Sequence, residues 1–279
     1  MHMAIVSVII PCFNQGKFID DAVTSILNQT LQDFEIIIIN DGSTDTYTVT
    51  KLMHYDKPKT RVIHTKNHGL AAARNEGIRA SSGKYIQFLD ADDVISRDKF
   101  KLQLNLLKNA SKYSLSYTDY FPSTETDLTI SVPGRYLSPR FNSNQYLKEL
   151  ISAWEIGLSI PVHCFLFNSL LFKENNIYFD ETLINHEDWE CWMNIFALKP
   201  EVYFIDKKLA TYRIRDNAMC SDANLMKIGH LQALNKQRRM HKNNKELYFL
   251  IVKKIILVKY IMEIKSYYTS ILSRLFKFL

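Results

Sequence analysis

The first ninety or so residues alternate short apolar runs with helical segments, and polar residues follow most of the apolar runs. Val6–Ile10 and Phe34–Ile39 are apolar except for Ser7 and Glu35, as expected of strands that are buried on both faces. Two further runs, Arg61–His64 and Tyr85–Leu89, continue the alternation, and residues 70–80 have helical spacing between them. Short connections of this kind predict an α/β fold with a mainly parallel sheet and helices on both faces.

An acidic run, Asp90-Ala91-Asp92-Asp93, directly follows the fourth predicted strand. Ligands of such sheets bind beyond the carboxyl ends of the strands. Three carboxylates this close repel one another unless a cation neutralises them, and their oxygens suit Mg²⁺ or Mn²⁺. The run therefore indicates a divalent metal site, and an acidic turn that caps the next helix is the alternative interpretation.

Four segments at strand ends, in this order, resemble the nucleotide-binding half of family 2 glycosyltransferases with the GT-A fold, including those that build bacterial surface polysaccharides. A looser resemblance continues through three later segments, to about residue 215. The four segments are Val6–Asn14, Asn40–Asp45, Asn67–Asn75 and Phe88–Asp93, and the three later ones are Phe179–Glu181, Glu187–Trp189 and Tyr212–Arg213.

The resemblance implies a metal-dependent, inverting transferase that moves a sugar from a nucleoside diphosphate sugar, with a UDP-sugar as the first expectation. Asp41 and the backbone near Pro11 would hold the base, and Arg74 would reach the ribose or diphosphate. Asp92 would bind the metal, with Asp93 as a second ligand. The full donor-binding set is Pro11, Cys12, Asn14, Asp41, Asn67, Arg74, Asp90, Ala91, Asp92, Arg213 and Arg215.

Glu187-Asp188-Trp189 resembles the acidic pair that lines the acceptor site in this family. In-line displacement with inversion needs one base for the attacking hydroxyl, and the resemblance assigns that role to Asp188. Acidic residues that face a helix dipole are the alternative interpretation. Glu187, Trp189 and His163 are the predicted acceptor-binding residues, with core packing as the alternative for the tryptophan.

The sequence departs from the family pattern at Arg215, where relatives often have a histidine. An arginine side chain stays protonated and does not bind a metal. Together with Arg213 it could hold diphosphate oxygens instead.

The end of the chain is strongly basic: residues 236–279 contain eleven Lys and Arg but only two acidic residues. From Leu247 onward apolar residues are dense and are interrupted by lysines, which is typical of a helix at the surface of an anionic membrane. A contact with a second copy in a homodimer is an equal expectation, and packing on the catalytic domain is the alternative interpretation. No nucleic-acid-binding motif accompanies these charges, so we expect no nucleic-acid partner.

These observations divide the chain into a GT-A domain (residues 4–215) and a basic, amphipathic helical extension (residues 216–279). Within the domain, residues 4–119 would bind the nucleotide sugar and residues 120–215 the acceptor. The opening residues lack a signal-peptide pattern and the four cysteines form no CxxC pair, so we expect a cytoplasmic protein, peripheral on the inner face of the membrane.

The predicted acceptor is a saccharide or lipid-linked hydroxyl in cell-surface glycan synthesis. The competing function is that of a non-catalytic subunit, which binds nucleotide sugar within a membrane-associated assembly complex. Such a subunit would bind the donor without releasing a nucleoside diphosphate.

Overall fold

The computed structural model describes residues 4–134, 136–216 and 222–275, with side chains up to residue 261. One sheet contains the strands of this described part, in the spatial order β3-β2-β1-β4-β7-β6-β8-β5. The strands are β1 (Val6–Cys12), β2 (Phe34–Asp41), β3 (Thr60–Thr65), β4 (Tyr85–Phe88), β5 (Val94–Ile95), β6 (Ser114–Ser123), β7 (Phe165–Asn168) and β8 (Glu201–Arg213).

Strands β3, β2, β1 and β4 run parallel, so their carboxyl ends meet at one edge of the sheet. Every residue of β1 is buried, as its apolar sequence predicts for a strand that is covered on both faces. The predicted α/β class is therefore confirmed, and the polar residues after β2 and β4 lie at the same edge.

Strand β1 extends beyond its predicted end at Ile10, through Pro11 to Cys12. The carbonyl of Ile9 accepts a hydrogen bond from the amide of Leu89, so Pro11, two residues later, also faces β4. Strand β4 has ended by then, and the missing amide hydrogen of the proline costs the ladder nothing.

The other half of the sheet is mixed. Strand β7 runs antiparallel to β4 and β6, β8 runs parallel to β6, and β5 runs antiparallel to β8. The predicted boundary at residues 119–120 falls inside β6, so that one strand belongs to both predicted halves. The mixed half thus continues the parallel half within a single sheet.

Helices cover the sheet and extend beyond it at the end of the chain. A short 3₁₀ helix, Val162–Cys164, precedes β7. The α-helices are α1 (Ile19–Leu27), α2 (Thr46–Met53), α3 (Leu70–Ala80), α4 (Lys99–Leu107), α5 (Tyr146–Ser152), α6 (Leu170–Lys173), α7 (Glu187–Ala197), α8 (Ala223–Met240) and α9 (Lys245–Leu275).

The sequence has no proline after Asn224 and predicts one continuous helix from about that residue. The described part of the extension consists of two helices instead. Helix α8 ends at Met240, and α9 begins at Lys245 without any proline between them. The side chain of Asn244 accepts a hydrogen bond from the amide of Leu247 at 3.2 Å, which satisfies a free donor of the new helix. A capping asparagine is enough to restart a helix here.

One face of each described helix of the extension packs on the catalytic domain, which the sequence analysis gives as the alternative interpretation. Leu234 of α8 and Ile251 and Val258 of α9 are buried in the same core as Phe165 and Trp192. The apolar positions predicted beyond residue 261 lie outside the described side chains. Among the described residues, no helix has both the length and the apolar character needed to cross a membrane.

Candidate functional site

A cavity of about 610 Å³ opens at the carboxyl ends of β1, β2 and β4. One wall, which we call the donor side, contains seven of the predicted donor-binding residues. The other, which we call the acceptor side, contains residues from the stretch 154–163 and from 185–188. The donor-side residues are Pro11, Cys12, Asp41, Asn67, Arg74, Asp90 and Asp92.

Asp41 is the last residue of β2 and is buried. Its two carboxylate oxygens accept hydrogen bonds from the amides of His68 and Gly69, each at 2.9 Å. Each oxygen keeps a further lone pair, so a donor on a bound base can still reach it. Asp41 thus holds the loop before α3 in place and also borders the cavity.

The turn after Asp41 depends on Gly42. Its φ of +65° lies in the left-handed region, and a Cβ at this position would meet the backbone nitrogen of Asn67 at 2.5 Å. The glycine therefore lets the loop that carries Asn67 approach the end of β2, where Asn67 borders the cavity.

Arg74, on α3, joins the two walls. Its guanidinium contacts Asp90 on the donor side at 2.9 Å and Glu187 on the acceptor side at 2.7 Å. Burial alone would lower the pKa of Arg74, but the carboxylates of Asp90 and Glu187 raise it. The buried arginine therefore stays charged and fixes the spacing between β4 and α7.

Asp92 faces the cavity from the loop after β4. Burial, together with the carboxylates of Asp93 and Asp90, raises the pKa of Asp92 to about 7, against the opposing effect of Arg215. Nε of Arg215 lies 2.5 Å from Oδ2 of Asp92. A cation therefore already meets this carboxylate, and the contact of Arg215 with the donor phosphates stays a prediction.

Asp93, the second predicted metal ligand, is turned away from the cavity. Its carboxylate accepts a hydrogen bond from the amide of Arg213 at 2.8 Å and lies 2.9 Å from Nδ1 of His163. The side chain is 1% exposed. Ala91 is also fully buried. The residues of this run that border the cavity are therefore Asp90 and Asp92.

Arg213 borders the cavity, but its guanidinium is occupied by protein partners. Nε donates to the carbonyl of Asp92 at 2.6 Å, and Nη2 donates to Asp21 at 2.6 Å. The remaining amino group donates to the carbonyl of Glu125. The structure thus gives Arg213 the role of holding the acidic loop, in place of the predicted diphosphate contact.

Pro11 and Cys12 reach the cavity at the end of β1, whereas Asn14 does not. The side-chain oxygen of Asn14 accepts hydrogen bonds from the amides of Thr44 and Asp45 at 2.7 and 3.1 Å. It therefore links the loops that follow β1 and β2. Burial raises the pKa of the Cys12 thiol to about 11, so this group stays neutral.

On the acceptor side, Glu187 and Asp188 form the first turn of α7 and both border the cavity. Burial raises the pKa of Glu187, although Arg74 opposes this effect. One oxygen of Asp188 accepts a hydrogen bond from the amide of Trp189 at 2.6 Å, so the carboxylate has a defined orientation.

Trp189 lies in the core, and the prediction that it stacks on a sugar is not supported. Its side chain is 0% exposed and its indole nitrogen donates to the carbonyl of Leu150 at 2.8 Å. The helical spacing of Trp189 and Trp192 is consistent with a helix face that packs in the core, as well as with side chains that stack on a sugar. His163 borders the cavity but is itself fully buried beside Asp93.

Several acceptor-side residues were not identified from sequence. Tyr120 in β6, and Trp154 and Glu155 after α5, border the cavity although no sequence motif marks them. Their neighbours in sequence form no recognisable motif. Trp154 forms an isolated bridge with Leu158, which closes the turn that follows α5.

Residues 7–171 match the family described as glycosyl transferase family 2. The chain belongs to glycosyl transferase family 2. An uncharacterized glycosyltransferase of Rickettsia felis is 36% identical over 218 residues, which are 77% of this chain and 34% of that protein. The uncharacterized glycosyltransferase EpsJ of Bacillus subtilis is 32% identical over 223 residues, which are 77% of this chain and 62% of that protein. The chain thus spans from about a third to just under two thirds of the length of these relatives.

Solved structures share the fold of this family 2 domain. TarS 1–349 from S. aureus, in complex with UDP-GlcNAc, has a TM-score of 0.63 and 21% identity, over 82% of this chain and 66% of that one. The mannosyltransferase PcManGT from Pyrobaculum calidifontis, in complex with GDP-Man and Mn²⁺, has a TM-score of 0.63 and 15% identity, over 93% and 74%. At these identities the likeness shows the fold, and the predicted GT-A architecture is confirmed.

Proposed function

We propose that this domain transfers a sugar from a nucleoside diphosphate sugar to an acceptor hydroxyl, with inversion at the anomeric carbon. The observation that carries the proposal is that Asp92 and Asp188 border one cavity, from the donor side and the acceptor side. Arg74 connects the two walls through Asp90 and Glu187. A metal-binding carboxylate and a base on two walls of one cavity suit an in-line displacement between them.

The residues of the donor side fit a divalent metal through one carboxylate, Asp92. Burial and the neighbouring carboxylates of Asp93 and Asp90 raise the pKa of Asp92, so a cation beside it would be stabilising. Mg²⁺ or Mn²⁺ commonly takes one protein carboxylate together with substrate phosphates. Asp93 does not fit as a ligand because its carboxylate is buried against Arg213 and His163. When bound, the metal would neutralise charge on the departing diphosphate.

Asp188 is the proposed general base. It would accept the proton of the attacking hydroxyl while the bond to the diphosphate breaks. The charge of Glu187 is neutralised by Arg74. Among the residues that the structure describes, Asp188 has no such ion pair. Glu187 acts by keeping α7 against the donor side.

For the donor, Pro11 and Asp41 would contact the base, and Asp90 the ribose. Arg215 would release Asp92 and contact the diphosphate when the metal binds, because the metal and the guanidinium compete for the same carboxylate. UDP-sugars are the first donors to test. A hydroxyl of a saccharide or lipid-linked acceptor, in the synthesis of a cell-surface glycan, would occupy the acceptor side.

The exposed face of α9 would hold the enzyme at a cytoplasmic membrane surface that carries such an acceptor. Phe249, Ile256 and Tyr260 are each at least 60% exposed on this helix. Lys253 and Lys259 are exposed next to them. Apolar groups flanked by cations favour an anionic lipid surface over a second copy of the same basic face.

The first experiment is calorimetry of UDP-, GDP- and dTDP-sugars with the protein, in Mn²⁺ and then in EDTA, followed by an assay of nucleoside diphosphate release. Metal-dependent binding of one donor, with release in the presence of an acceptor extract, supports the transferase. Donor binding without any release would instead favour the non-catalytic subunit. No binding in either condition would exclude the proposed donor site.

A further inference from the structure

Three metal-ligating side chains meet next to the acceptor side, away from the acidic run after β4. They are Glu155, which follows α5, His186, which precedes α7, and His230, in the middle of α8. Their candidate ligand atoms all lie within 4.8 Å of one another. The two histidines are 2% exposed, and the glutamate is 41% exposed and borders the cavity.

The hydrogen bonds around His186 determine which of its nitrogens carries a proton. The amide group of Asn185 donates to the carbonyl of Leu225 at 2.9 Å, which leaves the side-chain oxygen of Asn185 facing Nδ1 of His186 at 2.5 Å. Because that oxygen can only accept, Nδ1 must donate. A neutral His186 therefore presents the lone pair of Nε2 to Glu155.

Nε2 of His186 lies 3.0 Å from Oε1 of Glu155. At this distance the lone pair of Nε2 and the carboxylate oxygen repel each other, unless a cation lies between them or the ring takes a second proton. An orienting partner on the far nitrogen is also what metal-binding histidines usually have. The geometry of His186 is thus that of a histidine ready to bind a metal through Nε2.

His230 presents a nitrogen to the same carboxylate. Its Nδ1 lies 3.5 Å from Oε2 of Glu155, and its other nitrogen is buried without a hydrogen-bond partner. The rings of His186 and His230 are stacked, with centroids 4.6 Å apart and planes 7° apart. Two imidazolium rings in this arrangement would repel each other, so without a metal only one of the two rings would carry a second proton.

Lys254, the nearest buried cation, does not take the place of a metal. Its ammonium donates to the carbonyls of Trp154 and Ser152, at 2.7 and 3.4 Å, and no hydrogen bond or ion pair joins it to Glu155 in the described structure. The carboxylate of Glu155 therefore has its hydrogen-bonding and ionic contacts with the two histidines.

We propose that Glu155, His186 and His230 bind a Zn²⁺ ion. Tetrahedral zinc with bonds of about 2.0–2.1 Å separates its ligand atoms by about 3.3 Å. Nε2 of His186 lies 3.0 Å from Oε1 of Glu155, and Nδ1 of His230 lies 3.5 Å from Oε2 of the same carboxylate. Two imidazoles and one carboxylate form a donor set that zinc accepts readily, with a fourth position left open. Since Glu155 and His186 border the cavity, that position takes a water or an oxygen of the acceptor.

This ion would also join the extension to the catalytic domain, because His230 is the ligand from α8. Gly229 makes the contact possible: a Cβ at this position would lie 1.9 Å from the side-chain oxygen of Asn185. A larger residue would displace Asn185, and with it the hydrogen bond that orients His186. Gly229 is therefore a positioning residue for the proposed site.

The test is titration of the chelator-treated, full chain with Zn²⁺ against a chromophoric chelator, and with Co²⁺ by visible absorption. We expect one zinc per chain. Glu155→Gln and His230→Gln should each lower the zinc affinity by more than the ~10–100-fold that loss of an outer partner costs, and Gly229→Ala should lower it within that range. Bound Co²⁺ should show the intense visible bands of a tetrahedral site.

Two variants serve as controls. His241→Gln removes a histidine just after α8 and should leave zinc binding unchanged. Asp92→Asn should also leave it unchanged, which separates this site from the proposed donor metal and from any failure of the proposed transferase activity. Thermal unfolding of each metal-free variant identifies those that do not fold.

The proposal is overturned if the wild-type chain takes up no zinc. It is equally overturned if folded Glu155→Gln and His230→Gln chains bind zinc as the wild type does. In either case the contact between His186 and Glu155 does not depend on a metal.

Discussion

The donor side and the acceptor side of the cavity are built in different ways. The donor side consists of strand ends from consecutive βα units, and its loops are held by contacts with the backbone, such as those of Asp41 with His68 and Gly69. The acceptor side is assembled from segments far apart in sequence. Buried side-chain pairs hold it, above all Arg74 with Glu187, which are 113 residues apart.

This difference has a consequence for substitutions. A backbone-held wall depends on few individual side chains, because the strands and turns themselves set its geometry. A wall held by buried ion pairs depends strongly on each partner, since removal of one leaves the other charged and desolvated. Single substitutions should therefore disturb the acceptor side, and its link to the donor side, more than they disturb the donor side itself.

The largest expected effect is that of Arg74→Met, which removes the link between the two walls. Asp90 and Glu187 would lose their shared cation, and Glu187 is almost fully buried. We expect the free energy of unfolding to fall by about 3–5 kcal/mol, measured by urea denaturation. Arg79→Met is the matched control: this arginine is exposed on the same helix and pairs with Glu76. Equal stability of the two variants would show that the walls are held together by other contacts.

Asp188→Asn tests the chemistry of the acceptor side without breaking that link. Transfer should fall by at least ~10²-fold because no base takes the acceptor proton, while donor affinity stays unchanged. Both quantities are measured on one preparation, by nucleoside diphosphate release and by calorimetry. Asp206→Asn, at an exposed position on β8, is the control. Retained transfer in the Asp188 variant would place the base elsewhere.

Asp92→Asn tests the donor side. It should lower the Mn²⁺-dependent part of the donor affinity by about tenfold or more, since it removes the proposed metal-binding carboxylate. Asp93→Asn should affect the metal dependence less, because its carboxylate contacts Arg213 and His163 instead. The measurement is the ratio of the donor affinity in Mn²⁺ to that in EDTA. If this ratio is the same for the Asp92 variant and the wild type, the metal assignment is wrong.

The smallest effect on stability should come from the exposed face of α9. Phe249→Ser combined with Ile256→Ser should change the free energy of unfolding by less than about 1 kcal/mol, because both side chains are already in water. The same change should reduce binding to anionic vesicles severalfold in a sedimentation assay. Met53→Ser, at an exposed position on α2, is the control. Altered self-association without altered vesicle binding would favour a homodimer.

Local sequence patterns predicted the parallel half of the fold closely. The apolar runs of β1 and β2 and the helical spacing of α3 correspond to the observed elements, and the acidic run follows β4. The errors concern features that local patterns do not contain. Asn244 divides the predicted single helix of the extension, and the predicted boundary between the two halves lies within β6.

The sequence by itself determined the α/β class and the order of the βα units, because both follow from spacing within a few neighbouring positions. The donor-binding residues were predicted from the resemblance of the strand-end segments to family 2 glycosyltransferases. Only the tertiary structure decided that Asp93 turns away from the cavity and that Trp189 lies in the core. It alone brought Glu155, His186 and His230 together. Contacts between residues 31 or more positions apart depend on how α5, α7 and α8 pack, and that packing leaves no period or motif in the sequence.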